Sequence, residues 1–250
     1  MNLCLTRFES VQRNRSVILK RKVTTRRVLK RKNTGVNGNR ELETHKLTQS
    51  QFRLLGILPL AFFMAQAVHY WQIDQLGHML WMCNIGNLLL ALGLFLEQAI
   101  LVRVAVMWMV PGLAVWFAYV VPTWGMLLTG NYSNKELLGV VSSTLAHVGG
   151  FAVGMAALRR IKMDSRAWVY AFLWYFIVQL ASRLFTPAAM NVNLSHNIQA
   201  GWEQTFSTYW KFWFVLTILV GIVSWILGLL LRLLWPATNL VVEDVPAPGF

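Results

Sequence analysis

The stretch from residue 209 to residue 235 reads YWKFWFVLTILVGIVSWILGLLLRLLW, and it decides the fold class. Its only charged residues are Lys211 and Arg232, and the 20 residues between them are uncharged. A helix of about 20 apolar residues is long enough to cross the hydrocarbon core of a bilayer. Long basic side chains near its two ends can extend to the membrane surface. This stretch therefore predicts a transmembrane helix.

The same pattern recurs five times upstream, so the sequence predicts six membrane spans in all. Composition agrees, because 56% of the residues are hydrophobic and only 13% are charged, about half the charged share that is usual in soluble domains. We expect an all-α integral membrane protein, and the composition excludes a soluble, disordered or collagen-like chain. The expected spans are 54–71, 79–96, 104–121, 137–158, 167–185 and 209–235.

Basic residues are concentrated at the start of the chain, where residues 1–53 hold 14 of the 23 Lys and Arg. We expect a disordered basic tail there that can contact anionic lipid head groups, then a transmembrane domain over 54–235 and a short C-terminal tail over 236–250. The tail lacks interleaved aromatic residues, so nucleic acid is not an expected partner.

The orientation follows from the short loops, because cytoplasmic loops of membrane proteins carry an excess of Lys and Arg. With the tail inside, the outer connections carry only Lys135. We therefore expect a multi-pass protein of the cell membrane with both termini in the cytoplasm. The basic residues of the inner loops are then Arg103, Arg159, Arg160, Lys162 and Arg166.

Polar side chains within a membrane span are costly and indicate function by default. In the second expected span, Cys83, Gly86 and Asn87 share one helix face, and the glycine lets another helix approach closely. Asn84 and Asn87 need hydrogen-bond partners, because an unpaired amide in hydrocarbon costs a few kcal/mol. These residues form either a functional site or an interhelical packing contact. In the second case Cys83 acts as a small hydrophobic residue.

The fourth span carries Ser143 and His147 on the face that also presents Gly150 and Gly154 to neighbouring helices. At 1.5 Å per residue, Cys83 lies roughly 6 Å and His147 roughly 15 Å below the outer surface, and the two depths overlap within the uncertainty of the helix ends. A Cys–His pair suffices for nucleophilic catalysis. His147 is otherwise a buried neutral residue bonded to Ser143 or an asparagine.

Two kinds of neighbouring group complete the candidate site. Asn84 or Asn87 could orient the imidazole or donate to an oxyanion.

The connection 186–207 is long, polar and free of Lys and Arg, and loops of this length are often functional lids. Arg183 lies just before it and could hold a phosphate or carboxylate, or pair with Asp74 or Glu203. The expected substrate-binding residues are Ser143, Arg183, Asn191, Asn193 and His196.

This arrangement resembles that of the YwaF-like family of membrane proteins: six spans, with Cys83 near the outer start of the second and His147 in the fourth. This family includes bacterial YwaF-type proteins and an animal transmembrane acyltransferase, and the resemblance covers residues 54–235. It implies transfer of fatty acyl chains between phospholipids near the outer leaflet, through an acyl-enzyme on Cys83 assisted by His147. It implies membrane lipids as partners, and we expect no cofactor and no metal.

Three other functions remain open. The first is a non-catalytic protein that binds or transports a small molecule or a lipid in a polar cavity lined by His147, Asn84, Asn87 and Arg183. The second is a haem or quinone protein that uses His78 and His147 as axial ligands. The third is a structural membrane subunit. The chain contains no P-loop, dinucleotide-binding fingerprint, zinc-protease motif or GxSxG motif, which argues against soluble enzymes of those classes.

Overall fold

The computed structural model describes residues 49–127 and 133–236. This part of the chain is helical and contains no strand; it includes one isolated bridge between Met163 and Pro236. The expected tails therefore fall almost entirely outside the described residues. The helices are α1 (Gln49–Leu54), α2 (Ile57–Gln72), α3 (Met82–Phe95), α4 (Ala99–Leu127), α5 (Asn134–Thr144), α6 (Gly150–Leu158), α7 (Ala167–Phe185) and α8 (Tyr209–Leu234).

Five helical segments of the described chain are long and apolar enough to cross a membrane. One of them joins α5 and α6 into a continuous helix through a π-helical turn at Leu145–Gly149. These segments support the expected multi-pass architecture. Their bounds are Gln51–Gln72, Ala99–Ala118, Asn134–Leu158, Ala167–Phe185 and Tyr209–Leu234.

The second expected span, 79–96, differs from the structure. Helix α3 has only 14 residues, which at 1.5 Å per residue is about 21 Å, less than the roughly 30 Å of a bilayer core. A 3₁₀ turn at Leu76–Leu80 precedes it, and Trp81 between them is extended. The number of spans therefore stays a prediction, because α3 is shorter than a regular membrane-spanning helix.

Most other helix ends lie close to their expected positions. Helix α7 has the bounds expected from its apolar run, and α8 ends one residue earlier than expected. Helix α5 begins at Asn134 and not at 137, because Ser133 and Glu136 form a capping box that starts the helix in a polar segment. Helix α1 begins at Gln49, within the region expected to be tail.

Helix α4 is the central element, since α3, α6, α7 and α8 all pack against it. Small residues permit the close approach: a Cβ on Gly154 would lie 2.9 Å from Val106 Cγ2, and one on Gly93 would lie 2.8 Å from Val102 Cγ2. Lipid tails are as apolar as the side chains, so packing of this kind, and not water exclusion, holds membrane helices together. It fixes α3 and the α5–α6 helix against α4.

Helix α8 packs along α7, where the rings of Phe172 and Trp168 lie over Gly221 and Gly228. Its opposite side exposes large apolar side chains, Phe214, Ile218 and Ile222 among them. An apolar surface of this kind is the one that a membrane helix presents to lipid.

Candidate functional site

Cys83 is the second residue of α3 and lies in its first turn. Its side chain is half-buried and forms no disulfide. Helix α4 passes beside it, so that a Cβ on Gly112 would lie 3.9 Å from the Cys83 Cβ.

Asn87 joins the first turn of α3 to the α5–α6 helix. Its fully buried side chain donates from Nδ2 to the carbonyl oxygen of Cys83 at 3.0 Å and to that of Ala146 at 2.9 Å. Ala146 precedes His147 in the chain, so one amide group links the backbones of the cysteine and the histidine regions. Helices α3 and α5–α6 are therefore neighbours, which the sequence did not establish.

His147 is the central residue of the π-helical turn Leu145–Gly149. Single π turns inside α-helices occur frequently at functional sites. The imidazole Nδ1 lies 2.8 Å from the carbonyl oxygen of Ser143. A carbonyl oxygen only accepts, so Nδ1 carries a proton, and in the neutral ring Nε2 is then the basic nitrogen.

Trp116 of α4 covers one face of this imidazole. The two ring centroids are 5.2 Å apart and the ring planes differ by 15°. The indole Nε1 also donates to the Ser143 hydroxyl at 2.8 Å. Ser143, which was expected to bind substrate, therefore uses its carbonyl to hold His147 and its hydroxyl to hold Trp116.

Asn84 is also buried, and its Nδ2 donates to the carbonyl oxygen of His78 at 3.0 Å. The His78 ring in turn lies between Tyr70 and Trp81, at centroid distances of 5.3 and 6.5 Å. Burial among these rings lowers the pKa of His78 from its ordinary value. Asn84 thus holds the turn before α3, and both asparagine amides donate to backbone carbonyl oxygens.

The connection after α7 is folded onto the start of α3 through Asn193. The Asn193 Oδ1 accepts from the backbone N–H of Met82 at 3.1 Å, and its Nδ2 donates to the Leu80 carbonyl at 2.7 Å and the Ser182 hydroxyl at 2.9 Å. Gln179 of α7 donates to the Asn193 carbonyl at 2.6 Å. Asn193, which was expected to bind substrate, thus caps the helix that carries Cys83, and its part in substrate binding stays a prediction.

The remaining loop residues form a second polar cluster next to this cap. The Asn191 Oδ1 accepts from the backbone N–H groups of His196 and Asn197, at 3.1 and 2.9 Å. Arg183 donates to the Ser195 carbonyl at 2.6 Å, and its guanidinium lies 5.1 Å from the ring centroids of both Tyr209 and Trp210. The buried His196 Nε2 has no hydrogen-bond partner within the described residues.

The structure therefore arranges the expected site residues in two groups. Cys83, Asn87, Ser143 and His147 lie where α3, α4 and the π turn meet. Asn193 lies at the cap of α3, beside the cluster around Arg183. The alternative ion pair of Arg183 with Asp74 or Glu203 is not seen among the described residues, whose ion pairs include Arg53–Glu97 and Arg103–Asp164.

Sequence reasoning missed three polar or aromatic residues inside the spans. Trp116 is one, and the others are Gln66 of α2 and Gln179 of α7, which are 2% and 5% exposed. The Gln66 Oε1 has no hydrogen-bond partner in the described structure. The signal was available, because a glutamine within an apolar run is as unusual as an asparagine.

The arrangement does not resemble a metal centre. Across residues 49–127 and 133–236, no three His, Cys, Asp or Glu side chains lie close enough together to hold a metal ion.

Comparison of this chain with protein-family models, curated proteins and solved structures finds no match. The fold thus defines a class, that of helical proteins built to cross a membrane several times, and the site itself must carry the functional argument.

Proposed function

We propose that this protein is a multi-pass enzyme of the cell membrane that transfers fatty acyl chains between lipids through Cys83 and His147. The observation that carries the proposal is the junction at Asn87, whose amide holds the carbonyl groups of Cys83 and Ala146 at 3.0 and 2.9 Å. It ties the first turn of α3 to the π turn that carries His147. A nucleophile and its base need such fixed mutual positions.

The hydrogen bond to Ser143 leaves the neutral imidazole in the tautomer whose Nε2 can accept a proton. With Nδ1–H bonded to Ser143, the lone pair of Nε2 accepts the thiol proton of Cys83. The resulting thiolate attacks the carbonyl carbon of a lipid ester, and the ester C–O bond breaks. The departing alkoxide takes the proton from Nε2, which leaves a thioester on Cys83 and a lysolipid with a free hydroxyl group.

The second half of the reaction reverses these steps with a different lipid. The hydroxyl of an acceptor lysolipid gives its proton to Nε2 and attacks the thioester carbonyl. The C–S bond breaks, the thiolate takes the proton back, and a new lipid ester is released. No cofactor is required, because the exchange breaks one lipid ester bond and forms another, with no net oxidation or reduction.

Lipid is the substrate class that the surroundings favour. Leu145 and Val148 flank His147 and are 41% and 39% exposed, and Val115 beside Trp116 is 70% exposed. These side chains face the hydrocarbon of a bilayer, so an acyl chain reaches the site sideways between helices. Toward the end where α3 begins, Asn193 bonds the loop to the backbone of Leu80 and Met82.

The roles of the two asparagines follow from their bonds. An oxyanion donor needs a free N–H, and the Asn87 amide already donates to two backbone carbonyl groups, whereas the Asn84 amide donates to one. We therefore propose that Asn87 positions Cys83 and His147.

Membrane lipids are also the proposed binding partners of this protein, since the basic tail would bind anionic head groups on the cytoplasmic side.

An exchange assay in nanodiscs tests this function. A phospholipid with an isotope-labelled acyl chain serves as donor and an unlabelled lysophospholipid as acceptor, and mass spectrometry follows the label. Cys83→Ser and His147→Ala should reduce exchange to background, whereas Cys4→Ser, which removes the only other cysteine of the chain, should leave it unchanged. Full exchange in a well-folded Cys83→Ser variant would refute the mechanism and favour non-catalytic binding or transport.

A further inference from the structure

The imidazole of His147 is held on two sides by groups that do not belong to the reacting pair. Its Nδ1 meets the Ser143 carbonyl at 2.8 Å, and the Trp116 ring stacks on it at 5.2 Å with a 15° angle between the planes. The hydrogen bond holds Nδ1 against the Ser143 carbonyl, and the stacking holds the imidazole plane nearly parallel to the indole plane. Together they leave the imidazole one orientation.

Trp116 is itself anchored. Its side chain is only 6% exposed, and its Nε1 donates to the hydroxyl of the same Ser143 whose carbonyl holds the imidazole. A buried indole N–H normally needs such a partner. The three side chains form a closed unit that spans α4 and the α5–α6 helix, which we call the imidazole clamp (Trp116, Ser143, His147).

We propose that Trp116 is a positioning residue for His147, which keeps the imidazole as the Nδ1–H tautomer and so reserves Nε2 for the substrate side. The role rests on the proposed acyl transfer for its purpose, but the tautomer can be observed without any reaction. Misplacing a catalytic group by about 1 Å can cost roughly a hundredfold in rate. An aromatic clamp is therefore a sufficient reason for a tryptophan in the interior of a span.

The chain provides a matched control in Trp108, which lies two turns earlier on α4. It is 7% exposed, and its Nε1 donates to the carbonyl oxygen of Ala171 at 3.1 Å, whereas Trp116 donates to a hydroxyl. This carbonyl belongs to α7 and not to the clamp. Trp108→Phe and Trp116→Phe thus remove the same indole N–H from the same helix, in one case away from His147 and in the other beside it.

The test uses the full chain in nanodiscs with histidine labelled by ¹⁵N, and His147→Gln assigns the signal of His147 among the five histidines. The ¹⁵N shifts distinguish protonated from unprotonated ring nitrogens. We expect the Nδ1–H tautomer in the unmodified protein and in Trp108→Phe. We expect mixed tautomers in Trp116→Leu, which lacks both the ring and the N–H group.

Exchange rates complete the test. Trp116→Leu should lower the rate about tenfold or more, and Trp116→Phe, which keeps an aromatic ring, should lower it less. Ser143→Ala should resemble Trp116→Phe, and Ser143→Thr should restore the rate because it restores the hydroxyl. An unchanged tautomer and rate in Trp116→Leu would overturn the role of Trp116.

The two proposals fail in different ways. If the unmodified protein exchanges no acyl groups but Trp116→Leu still mixes the tautomers, the acyl transfer is refuted and the imidazole clamp stands. If exchange depends on Cys83 and His147 but not on Trp116, the clamp is refuted and the acyl transfer stands. An Nε2–H tautomer in the unmodified protein would overturn the clamp directly.

Discussion

At the scale of single residues, Asn87 shows how one side chain can organise a membrane site. It is fully buried and joins two backbones through its Nδ2, while its Oδ1 packs against Gly150. A buried amide in a low-dielectric interior must be satisfied or it destabilises the fold. The Nδ2 bonds of Asn87 fix Cys83 relative to the π turn, whereas its buried Oδ1 has no hydrogen-bond partner within the described residues.

Gly150 should be intolerant of a side chain for this reason. A Cβ there would lie 3.1 Å from both Asn87 Cγ and Met109 Cε, so Gly150→Ala would displace the amide and destabilise the protein by about 1–3 kcal/mol. Gly86→Ala is the control, since its Cβ would meet nothing closer than 3.7 Å. Thermal unfolding in detergent should show a lower Tm for the first variant only, and equal Tm values would contradict the packing described.

Asn193 gives a second prediction at this scale. Asn193→Ala removes three side-chain hydrogen bonds and should destabilise the protein by about 2–3 kcal/mol. Hydrogen exchange at the Met82 amide should accelerate, because its acceptor is lost. Asn197→Ala removes a single side-chain bond from an exposed position and should leave Met82 protected. Unchanged exchange at Met82 in Asn193→Ala would mean that the cap contributes little.

At the scale of elements, the π turn Leu145–Gly149 separates two α-helical parts of one span. A π turn amounts to one extra residue in an α-helix. It shifts His147 relative to both parts, and this shift cannot be read from apolar periodicity. The expected helix 137–158 therefore matched the observed end of the segment at Leu158, and the apolar pattern gave no sign of the irregular turn at His147.

Deletion of Val148 should convert the π turn into a regular α-helical turn. Val148 is 39% exposed and forms no hydrogen bond through its apolar side chain, so the fold should survive. The deletion would rotate α6 relative to α5 and should lower acyl exchange at least tenfold by moving the base. Deletion of Val141, a similarly exposed residue of α5, tests whether any shift of register has the same effect. Normal exchange without Val148 would show that the π turn has no catalytic role.

Helix ends show what the sequence can and cannot specify. The bounds of α7 and α8 followed from uninterrupted apolar runs, because hydropathy determines where a chain enters and leaves lipid. Helix α3 begins at Met82 and not at the expected residue 79. The hydrogen bond from the Met82 N–H to Asn193, 111 residues away, stabilises this later start. Such long-range contacts leave no local signal, and the capping contact of Asn193 could not be predicted for the same reason.

At the scale of the whole molecule, the fold class was predictable and the assembly of the site was not. Composition and apolar runs predicted a multi-pass helical protein, and the structure supports it. The sequence also singled out Cys83, Asn87 and His147 as polar residues inside spans. It could not show that α3 and the α5–α6 helix are neighbours, because helix order depends on small-residue contacts such as Gly154 with Val106.

The two native cysteines test orientation and span number. In Cys83→Ser the remaining Cys4 should react with a membrane-impermeant maleimide only in inverted vesicles if the basic tail is cytoplasmic. A cysteine at the other terminus, Phe250→Cys in a protein that lacks both native cysteines, should label on the same side if α3 completes a sixth span. Labelling on opposite faces would mean an odd number of spans, and Cys4 labelling in right-side-out vesicles would reverse the orientation.

The most direct test of acyl transfer is intact-protein mass spectrometry of Cys4→Ser in nanodiscs of mixed phospholipids, where Cys83 is the only cysteine left. We expect a mass increase equal to a fatty acyl group that hydroxylamine removes, as a thioester requires. The increase should be absent from the variant that also carries Cys83→Ser and much reduced with His147→Ala. A folded protein with no adduct, or an adduct that persists without Cys83, would contradict the account.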